Sequence, residues 1–144
     1  MQLTFRDAFF DDIPHLAGLI TELGYPTSLA EMEERFKDIA THADYKTIIA
    51  LAGDEIVAVA GLCKGLFYEM NGPYMRILVF VVKQSHRGRG IGKQLLQQAE
   101  AWAAEQGLKT ILINSGNRHE RIAAHLFYKQ MGYEVKSSGF VKRL

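Results

Sequence analysis

Residues 80 to 92 read Phe-Val-Val-Lys-Gln-Ser-His-Arg-Gly-Arg-Gly-Ile-Gly, an apolar stretch that runs into three glycines at alternate positions. Gly88, Gly90 and Gly92 have no Cβ, so an anion can approach the main chain and a left-handed backbone carries little strain there. Apolar periodicity resumes at Ile91 and predicts a helix. Its first four N–H groups have no intrahelical acceptor, and its N-terminus carries about half a positive charge. Strand, glycine turn and helix start together make an anion site that suits a pyrophosphate better than a single carboxylate. At roughly 1.5–3 kcal/mol for each charge-assisted hydrogen bond, three or four would hold a nucleotide-like anion firmly. Lys83, His86, Arg87, Arg89 and Lys93 surround the glycines and favour the same ligand charge. No Lys-Ser/Thr pair follows them, which excludes a P-loop, and their spacing is not that of the dinucleotide fingerprint.

Other reactive side chains are sparse. His119 and His125 lie six apart and share no helical face, and Cys63 is the only cysteine, so no metal-ligand spacing emerges and no metal is expected. Cys63 sits in an apolar strand pattern, is expected in the core, and has no partner for an internal disulfide, which favours a reducing, cytoplasmic compartment. A formal charge of +1, with 23% charged and 48% hydrophobic residues, argues against a nucleic-acid surface driven by bulk charge. No run approaches 18 apolar residues, so no membrane span is expected, and the first residues lack the basic-then-apolar pattern of an export signal.

The elements that must position the glycine turn follow from periodicity. Leu3 to Asp7 alternates as a strand, and Ile13, Leu16, Ala17, Ile20 and Leu23 recur at helical spacing between Asp12-Ile-Pro14 and Gly24. A capping box, Ser28 to Glu31, opens a second helix bearing Leu29, Met32, Phe36 and Ile39 on one face. Residues 46–52 and 56–69 form a hairpin about Gly53, and Asn71-Gly72-Pro73 turns into an apolar strand from Tyr74 to Val82. After the glycines come a helix ending at Gly107, a strand over 109–114, a helix over 122–131 and a last strand over 133–141. The order β-α-α-β-β-β-α-β-α-β predicts an α/β fold, a mixed sheet with helices on its faces, and 144 residues suit a single domain, 1–144.

Arg87-x-x-Gly90-x-Gly92 resembles the acetyl-CoA signature, Gln/Arg-x-x-Gly-x-Gly/Ala, of the GNAT family of N-acetyltransferases. Ala124-His-Leu-Phe-Tyr128-Lys-Gln-Met-Gly132-Tyr133 is similar to that family's Ala-x-x-x-Tyr-x-x-x-Gly-Phe/Tyr stretch, and the element order is its layout across essentially the whole chain. The resemblance implies a splayed central sheet whose open strand, here Phe80, Val81 and Val82, binds the pantetheine arm of acetyl-CoA as an added strand would. It places the pyrophosphate on N–H groups of Arg87, Gly88, Arg89, Gly90, Ile91, Gly92 and Lys93. It puts Tyr128 at the position of the family's general acid; a phenol of pKa about 10 is a weaker acid than a thiol of about 8.5, so hydrogen-bond donation to the departing thiolate is the role expected of it. Asn114 and Asn117 carry amides able to reach the cofactor; the asparagine that relatives often place seven residues before the tyrosine is Arg121 here, and Asn117 is favoured in its stead.

The implied reaction is direct acetyl transfer to a primary amine without an acyl-enzyme. An alkyl amine of pKa about 10.4 needs roughly 4.6 kcal/mol to lose its proton at pH 7, so the site must desolvate it or offer a proton path. Many relatives have a strand glutamate for this, but Tyr74 to Val82 contains no carboxylate and Val79 stands at its place. Glu69, Tyr68 and His42 are candidates, with ordered water the alternative. Tyr25, Tyr68, Tyr74 and Arg76 are expected to contact the acceptor, a small-molecule amine. A peptide or protein acceptor, and a non-catalytic acyl-CoA sensor, are the alternative functions. The edge of the last strand offers a surface for a homodimer.

Overall fold

Alternating apolar and polar residues in a short segment give β1, Leu3–Asp7, which runs antiparallel to β2, Tyr45–Ala52, from Leu3↔Ala52 to Asp7↔Ile48. The computed structural model describes residues 2–115 and 121–144. Between these strands lie a 3-10 turn, Phe10–Asp12, and two helices, α1 (Ile13–Leu23) and α2 (Leu29–Ala40). Gly24 ends α1 in the left-handed conformation at φ 116°. The Ser28 hydroxyl accepts the Glu31 N–H while the Glu31 carboxylate accepts the Ser28 N–H, the expected capping box.

β2, β3 (Glu55–Leu66) and β4 (Pro73–Val82) are successive antiparallel neighbours. Two bulges interrupt the ladders. Ala50 faces Ala58 but Leu51 faces Ile56, which makes Val57 the extra residue on β3; Gly61 faces Val79 but Leu62 faces Ile77, which makes Leu78 the extra residue on β4. α3, Ile91–Glu105, leads to β5, Ile111–Ile113, and the five strands lie in the order β1-β2-β3-β4-β5. Three residues cannot flank the ten of β4; the Met75 N–H donates to the Thr110 carbonyl at 2.9 Å near the start of β4.

One face of the sheet presents Ile49, Val59 and Val81 to Leu16, Leu19, Met32 and Phe36 of α1 and α2. Ala58 and Ala60 alternate with Val59, are fully buried, and take their cover from α3, which packs on β3. Asp12, 4% exposed, accepts through its carboxylate two bonds from Arg6 (2.8 and 3.0 Å) and one from the Phe9 N–H (2.9 Å). The Arg6 hydrogen bonds hold its carboxyl below the usual carboxylate range despite burial.

Residue contacts divide the chain into a unit ending at Leu112 and a second, Ile113–Leu144. The second holds α4, Ile122–Gln130, which stops before Gly132 at φ 93°. Element order and class are those expected from the sequence up to this point. The last strand is a correction: no strand forms over 133–141, where Ser137-Ser138-Gly139 breaks the apolar alternation and Val135, Phe140 and Val141 are exposed. β3 also ends at Leu66, three residues early, because Phe67 turns onto the Tyr74 ring, 4.6 Å between centroids. Among the described residues, no helix is long and apolar enough to cross a membrane.

Candidate active site

β4 delivers the chain into a 3-10 turn, Gln84–His86, and then into the glycines. Gly88 and Gly90 both lie at φ 79°, the left-handed region, and Gly90 caps α3. The first helical bond runs from the Gln94 N–H to the Gly90 carbonyl. Consequently none of the six N–H groups from Gly88 to Lys93 has an acceptor among the described residues. A Cβ built on Gly88 or Gly90 would meet nothing within 4 Å, so the Cβ side of both residues is open. Successive N–H groups around left-handed residues form an anion-binding concavity, here reinforced by a 15-residue helix. The seventh amide expected there, that of Arg87, is engaged with the Gln84 carbonyl at 3.3 Å.

Two carboxylates hold the approach. Glu22, near the end of α1, accepts the Gln84 N–H at 2.9 Å. Glu55 pairs with Lys83 at 2.8 Å and lies 3.6 Å from His86 Nε2, and the Lys83 hydrogen bond holds its carboxyl below the usual range. Lys83 and His86 are thus tied to the β2–β3 turn, whereas Arg89 and Lys93 are exposed and form no ion pair among the described residues. Sequence reasoning missed Glu22 and Glu55, whose partners lie 62 and 28 residues away with no local pattern to reveal them.

The Lys83 N–H donates to the Val57 carbonyl at 2.7 Å, so by the antiparallel alternation the main-chain groups of Val81 face β3 and those of Phe80 and Val82 face the other edge. Arg87 Nε donates to the Val82 carbonyl at 2.9 Å on that edge. Of the three expected residues, Phe80 and Val82 therefore turn their main-chain groups away from β3, and Val81 belongs to the core.

Between α1, α2 and the sheet lies a cavity of about 80 Å³. Thr47, Gly61 and Val79 are in register across β2, β3 and β4 and form its floor. Gly61 makes the room: a Cβ there would come within 2.7 Å of Val79 Cγ1. Ile20, Met32 and Phe36 are among the residues that roof it, and Leu78, the bulged residue, lies at its β4 side. An isolated glycine inside an apolar strand is a local hint of such room, but which residues meet across it depends on strand register.

The Tyr128 phenol is half-buried on α4, its ring 5.5 Å from Phe127 and 6.2 Å from Tyr133. Burial pushes its pKa up, against a smaller opposing effect of Arg121, so it is a neutral donor at physiological pH. Burial likewise raises the Cys63 thiol, which disfavours a thiolate. Asn117 lies outside the described residues, and Asn114 is exposed.

The expected acceptor and base residues lie apart from the cavity. Tyr25, Tyr68 and Glu69 are exposed in loops, and Tyr74 and Arg76 join Phe67 in a cluster where the Arg76 guanidinium sits 5.6 Å from the Tyr74 ring centroid. None of these lines the cavity. Glu69 precedes β4, and Pro73 to Val79 alone spans about 20 Å of strand. His42 Nδ1 accepts the Asp44 N–H at 3.2 Å, which engages that lone pair.

Residues 11–133 match the Acetyltransferase (GNAT) family. The chain is 30% identical over 144 residues to the uncharacterized N-acetyltransferase YhdJ of Bacillus subtilis, covering 98% of this chain and 95% of that one. It is 35% identical to a crystal structure of a GNAT family acetyltransferase of Staphylococcus aureus, with TM-score 0.84 and all of both chains covered. The aminoglycoside N-acetyltransferase AAC(6')-Iy in complex with CoA, 18% identical, shares the fold at TM-score 0.86 over 99% of this chain and 95% of that one. The family match over residues 11–133, with relatives aligned over nearly the full length of both chains, makes this chain a member of the GNAT family and an N-acetyltransferase.

Proposed function

We propose that the protein takes acetyl-CoA as co-substrate and transfers the acetyl group directly to the primary amine of a small molecule. The observation that carries this reading is the row of six amides, Gly88 to Lys93, that have no acceptor among the described residues. Acetyl-CoA supplies an acyl group already activated as a thioester. The amides fit its diphosphate by charge and donor number, with Arg89 and Lys93 adding positive potential. The side of β4 turned away from β3 at Phe80 and Val82 is where an extended amide-bearing arm would align, with Arg87 Nε on the Val82 carbonyl the contact it would meet or displace. One domain, 1–144, is proposed, since the family match crosses the boundary between the two units.

In the transfer the amine nitrogen bonds to the carbonyl carbon, the carbon–sulfur bond breaks, one amine proton leaves to water, and the sulfur departs as a thiolate that is then protonated. Apolar surroundings disfavour an ammonium and so lower the amine's pKa, which substitutes in part for the missing strand carboxylate. Tyr128, in the family-like position, donates a hydrogen bond to the leaving sulfur; its raised pKa suits donation and opposes full proton transfer. The test is thiol release from acetyl-CoA against a panel of small amines and short peptides. Amine-dependent release with the acetylated small amine as product is expected. Release with peptides alone, or none with any amine, contradicts the reading.

A further inference from the structure

The cavity under α1 and α2 narrows the acceptor further, and the inference rests on the acetyl-transfer reading above. Its walls are almost wholly apolar, and no carboxylate lines it. Lys46, the one charged lining residue, is paired through Nζ with Asp7 at 2.7 Å. At about 80 Å³ the cavity exceeds several-fold the roughly 10–15 Å³ that one water requires on that measure, so it has room for a chain of carbon atoms. A cationic body placed there would lose its hydration and meet no counter-charge.

The floor also ties the cavity to the chemistry. The Thr47, Gly61 and Val79 row crosses three strands, about 10 Å, and ends on β4. Val79 stands three residues, or about 10 Å, before Val82, where the edge that suits the acyl donor's arm ends. The bulge at Leu78 re-aims β4 at this point, as bulges beside reactive centres do. At the far end, neither the Thr47 hydroxyl nor the Tyr45 phenol, both from lining residues, has a hydrogen-bond partner among the described residues. We infer that this cavity takes the apolar body of a primary monoamine, so that the acceptors are alkyl- or arylalkylamines, with at most a neutral polar group at the distal end, and not polycations.

A matched pair tests this on the wild-type chain. Hexylamine and pentane-1,5-diamine have the same number of heavy atoms and differ by a distal methyl against a distal ammonium. With acetyl-CoA saturating, hexylamine is expected to have a kcat/KM at least about tenfold above the diamine, in line with what one group in an apolar pocket discriminates. In Ile39→Trp, which fills the cavity from α2, hexylamine should lose at least about tenfold in kcat/KM while calorimetric affinity for acetyl-CoA stays unchanged. Equal turnover of the two amines, preference for the diamine, or turnover of neither by a protein that binds acetyl-CoA overturns the inference and leaves the cofactor reading standing. Failure to bind acetyl-CoA overturns both.

Discussion

At Gly90 the backbone does what a side chain does elsewhere. Its φ of 79° turns the chain into α3, and the amides from Gly88 to Lys93 have no acceptor among the described residues. Gly90→Val places a branched Cβ in a left-handed residue, at a cost of about 1–2 kcal/mol in strain, and relaxes the turn. Affinity for coenzyme A, measured by calorimetry, is predicted to fall at least about tenfold while the circular dichroism spectrum is retained. The role proposed for Tyr128 belongs to a different step. Tyr128→Phe removes the donor and keeps the ring, so kcat should fall by about 10²-fold with acetyl-CoA affinity unchanged. Because burial holds the phenol above its ordinary value of about 10, the wild-type rate should show no loss from phenol ionisation until pH passes that value. A descending limb near neutrality would contradict the assigned role.

The elements that hold the site have their own tests. α2 roofs the cavity and starts at the Ser28 capping box, so Ser28→Ala should lower unfolding free energy by about 1 kcal/mol. Asp12 ties β1 to the start of α1 through three accepted bonds, and Asp12→Ala should cost about 2 kcal/mol in denaturant unfolding at pH 7. The sign in acid follows from the lowered carboxyl: its contribution is complete above the unfolded value of about 3.9 and disappears as pH falls through the lower folded value. The variant should therefore lose less stability between pH 5 and 2 than the wild type. Local signals sufficed for most of these elements, since capping boxes, glycine stops and apolar periods act over four to seven residues. They failed at 133–141, where alternating residues suggested a strand but a strand exists only with a ladder partner, which no local pattern reports.

For the whole molecule, the same divide separates what the chain's order of residues shows from what only the fold shows. The glycine turn was legible because its left-handed glycines and the helix start that follows are set by consecutive residues. The cavity was not, because Thr47, Gly61 and Val79 become neighbours only through strand register, and Glu22 and Glu55 reach the turn only through tertiary contact. The acceptor residues chosen from sequence, Tyr25, Tyr68, Tyr74 and Arg76, were chosen by type and nearness to strand ends, and the fold directs them elsewhere than into this space. The central claim remains the amide row that receives a diphosphate, and a ¹H–¹⁵N NMR titration with coenzyme A reads those groups one by one. The account predicts that Gly88, Arg89, Gly90, Ile91, Gly92 and Lys93 show the largest amide shifts, and that pantetheine, which lacks the diphosphate, leaves them nearly unmoved. Saturating coenzyme A with these six amides unshifted would contradict it.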